Sequence, residues 1–204
     1  GSITIRTTRG DTRVEGQVSA VGTGGQGGQI HLLGERVAVG QAVVDASGST
    51  GGGAVLVGGD YQGANAAVQN ARRVSVGGDA VLRADATVQG DGGRVIVWAD
   101  QNTRFAGHLS VRGGPQGGDG GFAEVSGKEQ LAFSGTADLT AAAGQAGSLL
   151  LDPLDIVVSA TGGVLESALD EFADFASNIV TISPAAMAAV GGTVVLQAAR
   201  DIYF

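Results

Sequence analysis

The sequence predicts an all-β protein: a single-stranded parallel β-helix, or β-solenoid, with a short α segment outside the coil. Three observations predict it. Glycine supplies 37 of 204 residues without a three-residue period, which excludes collagen. Apolar residues, chiefly Val, Ala and Leu, make up 43% of the chain, too many for a disordered segment. A glycine-then-strand phrase also recurs, in three of its five steps at 25–28 residues, shorter than the roughly 33 residues that a helical repeat needs.

The stretch 117–151 contains one full coil. A Gly-rich turn leads into a short apolar strand at Ala123–Val125, and Ser126-Gly127 makes a small turn. A second strand holds Leu131 and Phe133. Ser134-Gly135 turns again, a third strand holds Ala137 and Leu139, and the pattern restarts at Leu149. Three short strands per coil, restarting on a glycine corner, is the requirement of a β-solenoid.

The phrase is a Gly pair, one residue, then apolar residues in strand spacing. It starts at Gly27-Gly28, Gly52-Gly53, Gly92-Gly93, Gly120-Gly121 and Gly191-Gly192, and Gly147-Ser148 keeps one of the two glycines. Its first apolar residues are Ile30, Val55, Val95, Ala123, Leu149 and Val194. The steps are 25, 40, 28, 26 and 45 residues, so the two long gaps hold an extra turn or an insertion. A second marker, rich in small residues, precedes the first five. Its first apolar residues are Val18, Val44, Ala84, Leu109 and Ala137, which lie 12, 11, 11, 14 and 12 residues ahead. That is a fixed rung with a corner of variable length.

Within each strand, i and i+2 share a face. Ile30/Leu32, Val37/Val39, Val55/Val57, Val74/Val76, Val95/Val97 and Leu131/Phe133 are therefore expected to point inward and stack. Seven or eight rungs at about 4.8 Å each would make a rod about 35 Å long.

Residues 58–73 break the alternation and read as a loop excursion between Val57 and Val74. Asp60, Tyr61, Arg72 and Arg73 give it the most varied chemistry in the chain, and the plainest reading is a solvated loop over one corner. Rungs fill 1–158, and 159–192 is an irregular, partly helical excursion packed on the rod. Asp152-Pro153 ends a strand, and Ile156–Val158 follows. Apolar residues at 165, 168, 169, 172 and 175 have helical spacing, and Ser183-Pro184 opens a turn of helix through Met187. Residues 193–204 return to a rung.

Net charge is −8 with a single Lys, Lys128, which argues against nucleic acid and against anionic membranes as partners. No apolar run approaches the roughly 20 residues that span a bilayer. Gly1–Arg6 does not read as a signal peptide, so the chain is expected to be a fragment or a processed product. The absence of Cys suits passage through an oxidising periplasm in an unfolded state; chance depletion in a Gly/Val/Ala repeat explains it equally.

With the rungs laid out, the wording resembles a known family. Gly92-Gly-Arg-Val-Ile-Val-Trp-Ala-Asp100, Gly117-Gly-Asp-Gly-Gly-Phe-Ala-Glu-Val-Ser-Gly-Lys128, Gly147-Ser-Leu-Leu-Leu-Asp-Pro153 and Val195-Leu-Gln-Ala-Ala-Arg-Asp-Ile202 are similar to stretches of filamentous-haemagglutinin-like large exoproteins. The phrase Gly58-Gly-Asp-Tyr-Gln-Gly63 fits the same group. These are two-partner-secretion proteins of Gram-negative bacteria and cyanobacteria. The resemblance implies a right-handed parallel β-helix, export through an outer-membrane partner barrel, and adhesion at the cell surface. It places this chain as a later segment of such a protein.

Candidate sites are few. His31 and His108 fall on different rungs, and a metal site needs three or four converging ligands, so no cofactor or metal is expected. The Gly-Gly-Asp phrases miss the nonapeptide calcium spacing: Gly24–Gln29 carries Gln where Asp belongs, and Gly113–Asp119 is mis-spaced. Only incidental calcium at a corner is left open. Asp45, Asp85 and Asp138 read as equivalent positions on different rungs, outward and kept for solubility. Arg9-Gly10-Asp11 is an integrin-type tripeptide that an exposed turn would display.

The leading functional expectation is a secreted structural and adhesive exoprotein, not an enzyme. Its rod would project loops toward a host or bacterial surface receptor or a matrix. A self-assembling filament subunit, stacked head to tail, is the second reading. A β-helix enzyme acting on polysaccharide is a distant third, because those enzymes gather carboxylates and a basic residue on one strand face.

Overall fold

A computed structural model describes residues 1–154, 156–158, 180–182 and 184–203. The expected amphipathic helix of 164–175, Ser183 and Phe204 lie outside the described residues.

The chain is a β-solenoid of about five turns. The first coils contain β1 (Ser2–Arg6), β2 (Asp11–Ser19), β3 (Gln29–Leu33) and β4 (Arg36–Asp45). Then come three coils of three strands. These are β5 (Ala54–Val57), β6 (Arg73–Val76) and β7 (Val81–Arg83); β8 (Arg94–Ala99), β9 (Asn102–Phe105) and β10 (His108–Ser110); and β11 (Phe122–Gly127), β12 (Gln130–Phe133) and β13 (Thr136–Asp138). Then follow β14 (Ser148–Leu151), β15 (Ile156–Val158), β16 (Val180–Ile182), helix α1 (Pro184–Ala188), β17 (Thr193–Leu196) and β18 (Ile202–Tyr203). Three strands per coil thus holds from β5 to β13. In the first two coils the second and third strands run together as the long β2 and β4.

The first wall of the rod is a parallel sheet in the order β1-β3-β5-β8-β11-β14-β17. Its register aligns Ile3, Ile30, Val55, Val95, Ala123, Leu149 and Val194 in one column. Both long gaps are therefore insertions, since Val55 pairs directly with Val95 and Leu149 with Val194. For that reason the coil count falls below the seven or eight expected from sequence. The other two walls form one sheet in the order β12-β9-β6-β4-β7-β10-β13, with β2 pairing β4. The long β4 joins the two walls.

Every pair expected inside is inside, from Ile30/Leu32 to Leu131/Phe133. Phe105 and Phe133 occupy one register position on adjacent coils and stack with centroids 5.6 Å apart. The glycine corners close each coil by a hydrogen bond. Gly93 N–H donates to Ala84 O at 2.7 Å, Gly121 N–H to Val111 O at 2.7 Å, and Gly147 N–H to Leu139 O at 2.8 Å. Glycine is required at Gly93 by close approach: a Cβ there would run into the Gly53 carbonyl of the preceding coil.

One register differs from the sequence reading. Leu82, not Ala84, pairs with Val44 and Leu109. Asp45 and Asp138 hold one column, with Arg83 and Ser110 between them, while Asp85 sits two residues further along, level with Ser47. Asp85 is buried, not outward, and is gripped by Arg112 at 2.8 and 3.2 Å and by the Ser110 hydroxyl at 2.6 Å.

The second insertion contributes β16, which pairs in parallel with β15, and α1. The chain re-enters the coil at Gly191, level with Asp138. β18 pairs with β15.

Candidate functional site

The loop that leaves the first wall after Val57 does not hang over a corner in solvent. Its ends meet, Ala71 N–H donating to Gly58 O, and its body lies across the outer face of the wall. Beneath it Leu56, Ile96 and Trp98 form a second, smaller core, joined by Val68 from the loop and Phe122 from β11. The Gly-Gly-Asp-Tyr-Gln-Gly phrase has its physical reason here. A Cβ at Gly59 or Gly63 would strike the Trp98 ring. Glycine lets the loop lie flat on the indole. Asn70 completes the seat: its amide donates to Gly63 O and to Asp100 Oδ1, each at 3.0 Å, and Trp98 Nε1 donates to the same Asp100 oxygen at 3.1 Å.

The loop carries its own polar frame. Asp60 accepts from Tyr61 N–H at 2.7 Å, starting a 3-10 turn over Tyr61–Gly63, and from Asn65 at 2.8 Å. It also pairs with Arg94 of β8. These hydrogen bonds, with Arg94 and His31, hold its carboxyl below its ordinary value although burial opposes them. Tyr61 makes an edge-on contact with Phe122 at 5.8 Å, with the Arg94 guanidinium 6.0 Å from the Tyr61 ring centre. Tyr61 remains 42% exposed, so the crown of the loop presents an aromatic ring beside a cation. Next to it, along the glycine corner, runs an open groove of about 970 Å³ whose lining includes Arg94, Phe122, Asp91 and Asp119.

Gln62 is the pivot. Among the described residues it is the one non-glycine residue with positive φ, +51°. Its N–H reaches both carboxyl oxygens of Glu124 at 3.1 and 3.3 Å, and its side-chain amide donates to Asp152 at 3.0 Å. Glu124 is completely buried. Burial raises its carboxyl to about 7, with Asp152 pushing the same way and the Gln62 N–H, the Ser126 hydroxyl and Arg94 opposing. Burial also raises Asp152. The arrangement can hold or release a proton near neutrality. Among the described residues no three His, Cys, Asp or Glu side chains converge as a metal site would require.

No family model matches this chain. No curated protein matches it either.

The residues singled out from sequence separate into two places. Asp60 and Tyr61 belong to the loop on the first wall. Arg9-Gly10-Asp11 and Arg72 belong to the opposite, tight corner, where Gly10, Glu35, Arg72, Gln101 and Glu129 stack through successive backbone hydrogen bonds. There Asp11 pairs with Arg36 at 2.6 Å, so the tripeptide's carboxylate is already engaged. Arg72 pairs with Glu35 at 3.4 Å, and Arg73 begins β6, level with Arg36 and Asn102. His31 and His108 stand on different walls, with His108 bonded to Thr136 at 2.8 Å. Sequence reasoning missed Glu124, Trp98, Gln62 and Asp152. One signal was available: Glu124 stands outward in a strand whose outward neighbours in register, Ile96 and Leu150, are apolar, an unusual setting for a carboxylate in solvent.

Proposed function

We propose that this chain is a segment of a secreted bacterial cell-surface exoprotein with a structural and adhesive role. The rod is the scaffold and the loop over the first wall is what it displays. Two-partner secretion through an outer-membrane barrel is the proposed route. The observation that carries the reading is the loop's crown: a half-exposed Tyr61 held against Phe122 and Arg94, beside an open polar groove, on a scaffold whose core runs through every coil. Aromatic and guanidinium groups on a rigid support suit attachment to a surface, because little side-chain freedom is lost on contact. The repeated phrases similar to filamentous-haemagglutinin-like exoproteins support the same reading. The test is attachment of beads coated with the purified chain to cultured cells, bacteria and matrix-coated plates. Tyr61→Ala and Arg94→Ala are expected to cut retention severalfold with the β spectrum unchanged. Wild-type beads that stay on none of these surfaces would overturn the proposal.

A second reading is a filament subunit. Each coil stacks in parallel on the next in matching register, as β3 on β5 and β5 on β8, so one copy stacking on another in the same way would propagate, since a head-to-tail contact does not close on itself. Light scattering that rises with protein and salt concentration, as screening relieves the −8 charge, would favour it. A monomer throughout would remove it.

A further inference from the structure

Three features compete for attention: the groove of glycines and carboxylates, the arginines on the β4-β6-β9 wall, and the buried Glu124 under the loop. The groove is open, and its Asp91 and Asp119 carboxylates already accept from backbone N–H groups of the next coil at 2.8 Å. Of these arginines, Arg36 is engaged with Asp11, and Arg73 and Arg104 have interactions of their own. Glu124 has no such ordinary explanation.

We propose that residues 58–71 are a strap latched onto the first wall by a proton on Glu124, and that loss of this proton releases it. The geometry carries the argument. Glu124 stands in the middle of β11 with no solvent contact, and the strap itself shields it. Among the described residues the charged groups around it can be named. Arg94, one coil below, is committed to Asp60 on the strap. Asp152, beyond β14, carries a like charge and is tied to the same Gln62. Asp100 is held by Trp98 and Asn70, and His31 acts on Asp60. Among the described residues Arg94 is the one cation that acts on Glu124, and shared with Asp60 it only partly offsets the burial of an ionised carboxyl.

The neutral carboxyl accepts the Gln62 N–H at little cost in this setting. The carboxylate sits desolvated, beside Asp152, bridged to it by one glutamine. The strap offers a place for that strain to go. Gln62 holds a left-handed backbone that a non-glycine residue adopts at a cost, and its bonds to Glu124 and Asp152 are what oppose its relaxation. Lifting the strap hydrates both carboxyls at once. The proton leaves to solvent, and nothing else is transferred. The direction of the Glu124 shift agrees: its acid is held to about 7 when covered, against 4.5 in water. The covered state is therefore favoured in acid and weakens as pH rises through that interval. Above it the loss is complete. The closed-to-open ratio should fall by roughly 300-fold, tenfold for each pH unit between the two values.

Native-state hydrogen exchange reads this even if the open form stays rare. The Val68 and Ala71 amides bond within the strap to Asn65 O and Gly58 O, and Val97 and Leu149 serve as core references. With intrinsic exchange corrected, strap protection is expected to fall a few hundredfold between pH 4.5 and 8 and to lie below core protection throughout, the core losing no more than the same factor because unfolding exposes Glu124 too. In Glu124→Gln it should stay high and flat. In Asp152→Asn the fall should be centred at lower pH, because the like charge opposing ionisation has gone. The single Trp, Trp98, gives a second readout through acrylamide quenching that rises with the opening. Strap protection independent of pH in the wild type would overturn the proposal. So would a pH-dependent fall that persists in Glu124→Gln, or an unmoved midpoint in Asp152→Asn. If Glu124→Gln also lost core protection, the Asp152→Asn midpoint would decide alone.

Discussion

Val97→Asp tests the register of the whole rod. Val97 is fully buried in β8, level with Val57 below and Val125 above. Replacing it removes about 1.5–2 kcal/mol of apolar burial. The larger effect is the carboxyl. No described charge lies in the apolar column at that level, so the acid would stay neutral in the folded chain and ionise only on unfolding. A fully buried carboxyl is raised by about 3–5 pH units, and because pH 7 lies only about 3 units above the unfolded value, the stability lost to ionisation there levels off at about 4 kcal/mol. Together these approach the whole stability of an ordinary domain, about 5–15 kcal/mol. The sign with pH follows. Below about pH 4 both states hold the proton, and only the apolar and polar-burial costs remain. As pH rises the unfolded state sheds its proton first, and the penalty grows. Thermal melts followed by circular dichroism at pH 4 and pH 7 measure it, with Val97→Thr as a near-isosteric control. The expected result is a variant that melts with difficulty at pH 4 and lacks a cooperative transition at pH 7. An unchanged melting temperature would mean that Val97 faces solvent and the inward set is off by one. A loss equal at both pH values would refute the reasoning about the buried acid.

Other outcomes are expected from the same structure. Gly93→Ala should cost about 2–4 kcal/mol by pressing a Cβ into the Gly53 carbonyl, whereas Gly78→Ala, whose Cβ would meet only the Ala106 carbonyl at 3.9 Å, should be neutral or stabilising by about 0.5 kcal/mol; chemical denaturation compares them. Arg112→Ala leaves the buried Asp85 with Ser110 and a backbone N–H; because the guanidinium is half exposed, the loss should be about 1–2 kcal/mol. Asp85→Ala should make Arg112→Ala nearly silent in a double-mutant cycle. Glu124→Gln should stabilise the chain by on the order of 3 kcal/mol at pH 8 and not at pH 4, since the raised Glu124 value of about 7 penalises folding only as pH climbs past 4.5.

Much of the coil was legible because its signal is local and repeated. Alternation placed Ile30, Val55, Val95 and Val97 inside, and six copies of one phrase set the column. The error at Leu82 and Ala84 has a simple origin. Both are fully buried and two residues apart, so period-2 alternation cannot separate them; only the corner length distinguishes them, and corners vary. Asp85 moved with that error, from an outward carboxylate to a buried ion pair. Loop 58–73 was visible as a break, and its composition suggested solvent. Small, polar and glycine residues are what a solvated loop uses, and also what a loop needs to lie flat on an indole.

The sequence by itself determined the fold class, the inward residues and the stacking column, because each depends on neighbours a few residues away or on repetition down the chain. Only the tertiary structure decided which outward residues are buried. Gln62 meets Glu124 across 62 positions and Asp152 across 90, and no local pattern encodes those meetings. They arise because parallel coils bring residues two and three turns apart within one strap's reach. An outward carboxylate reads as solvated until something is seen to cover it; here the cover leaves the chain two coils earlier.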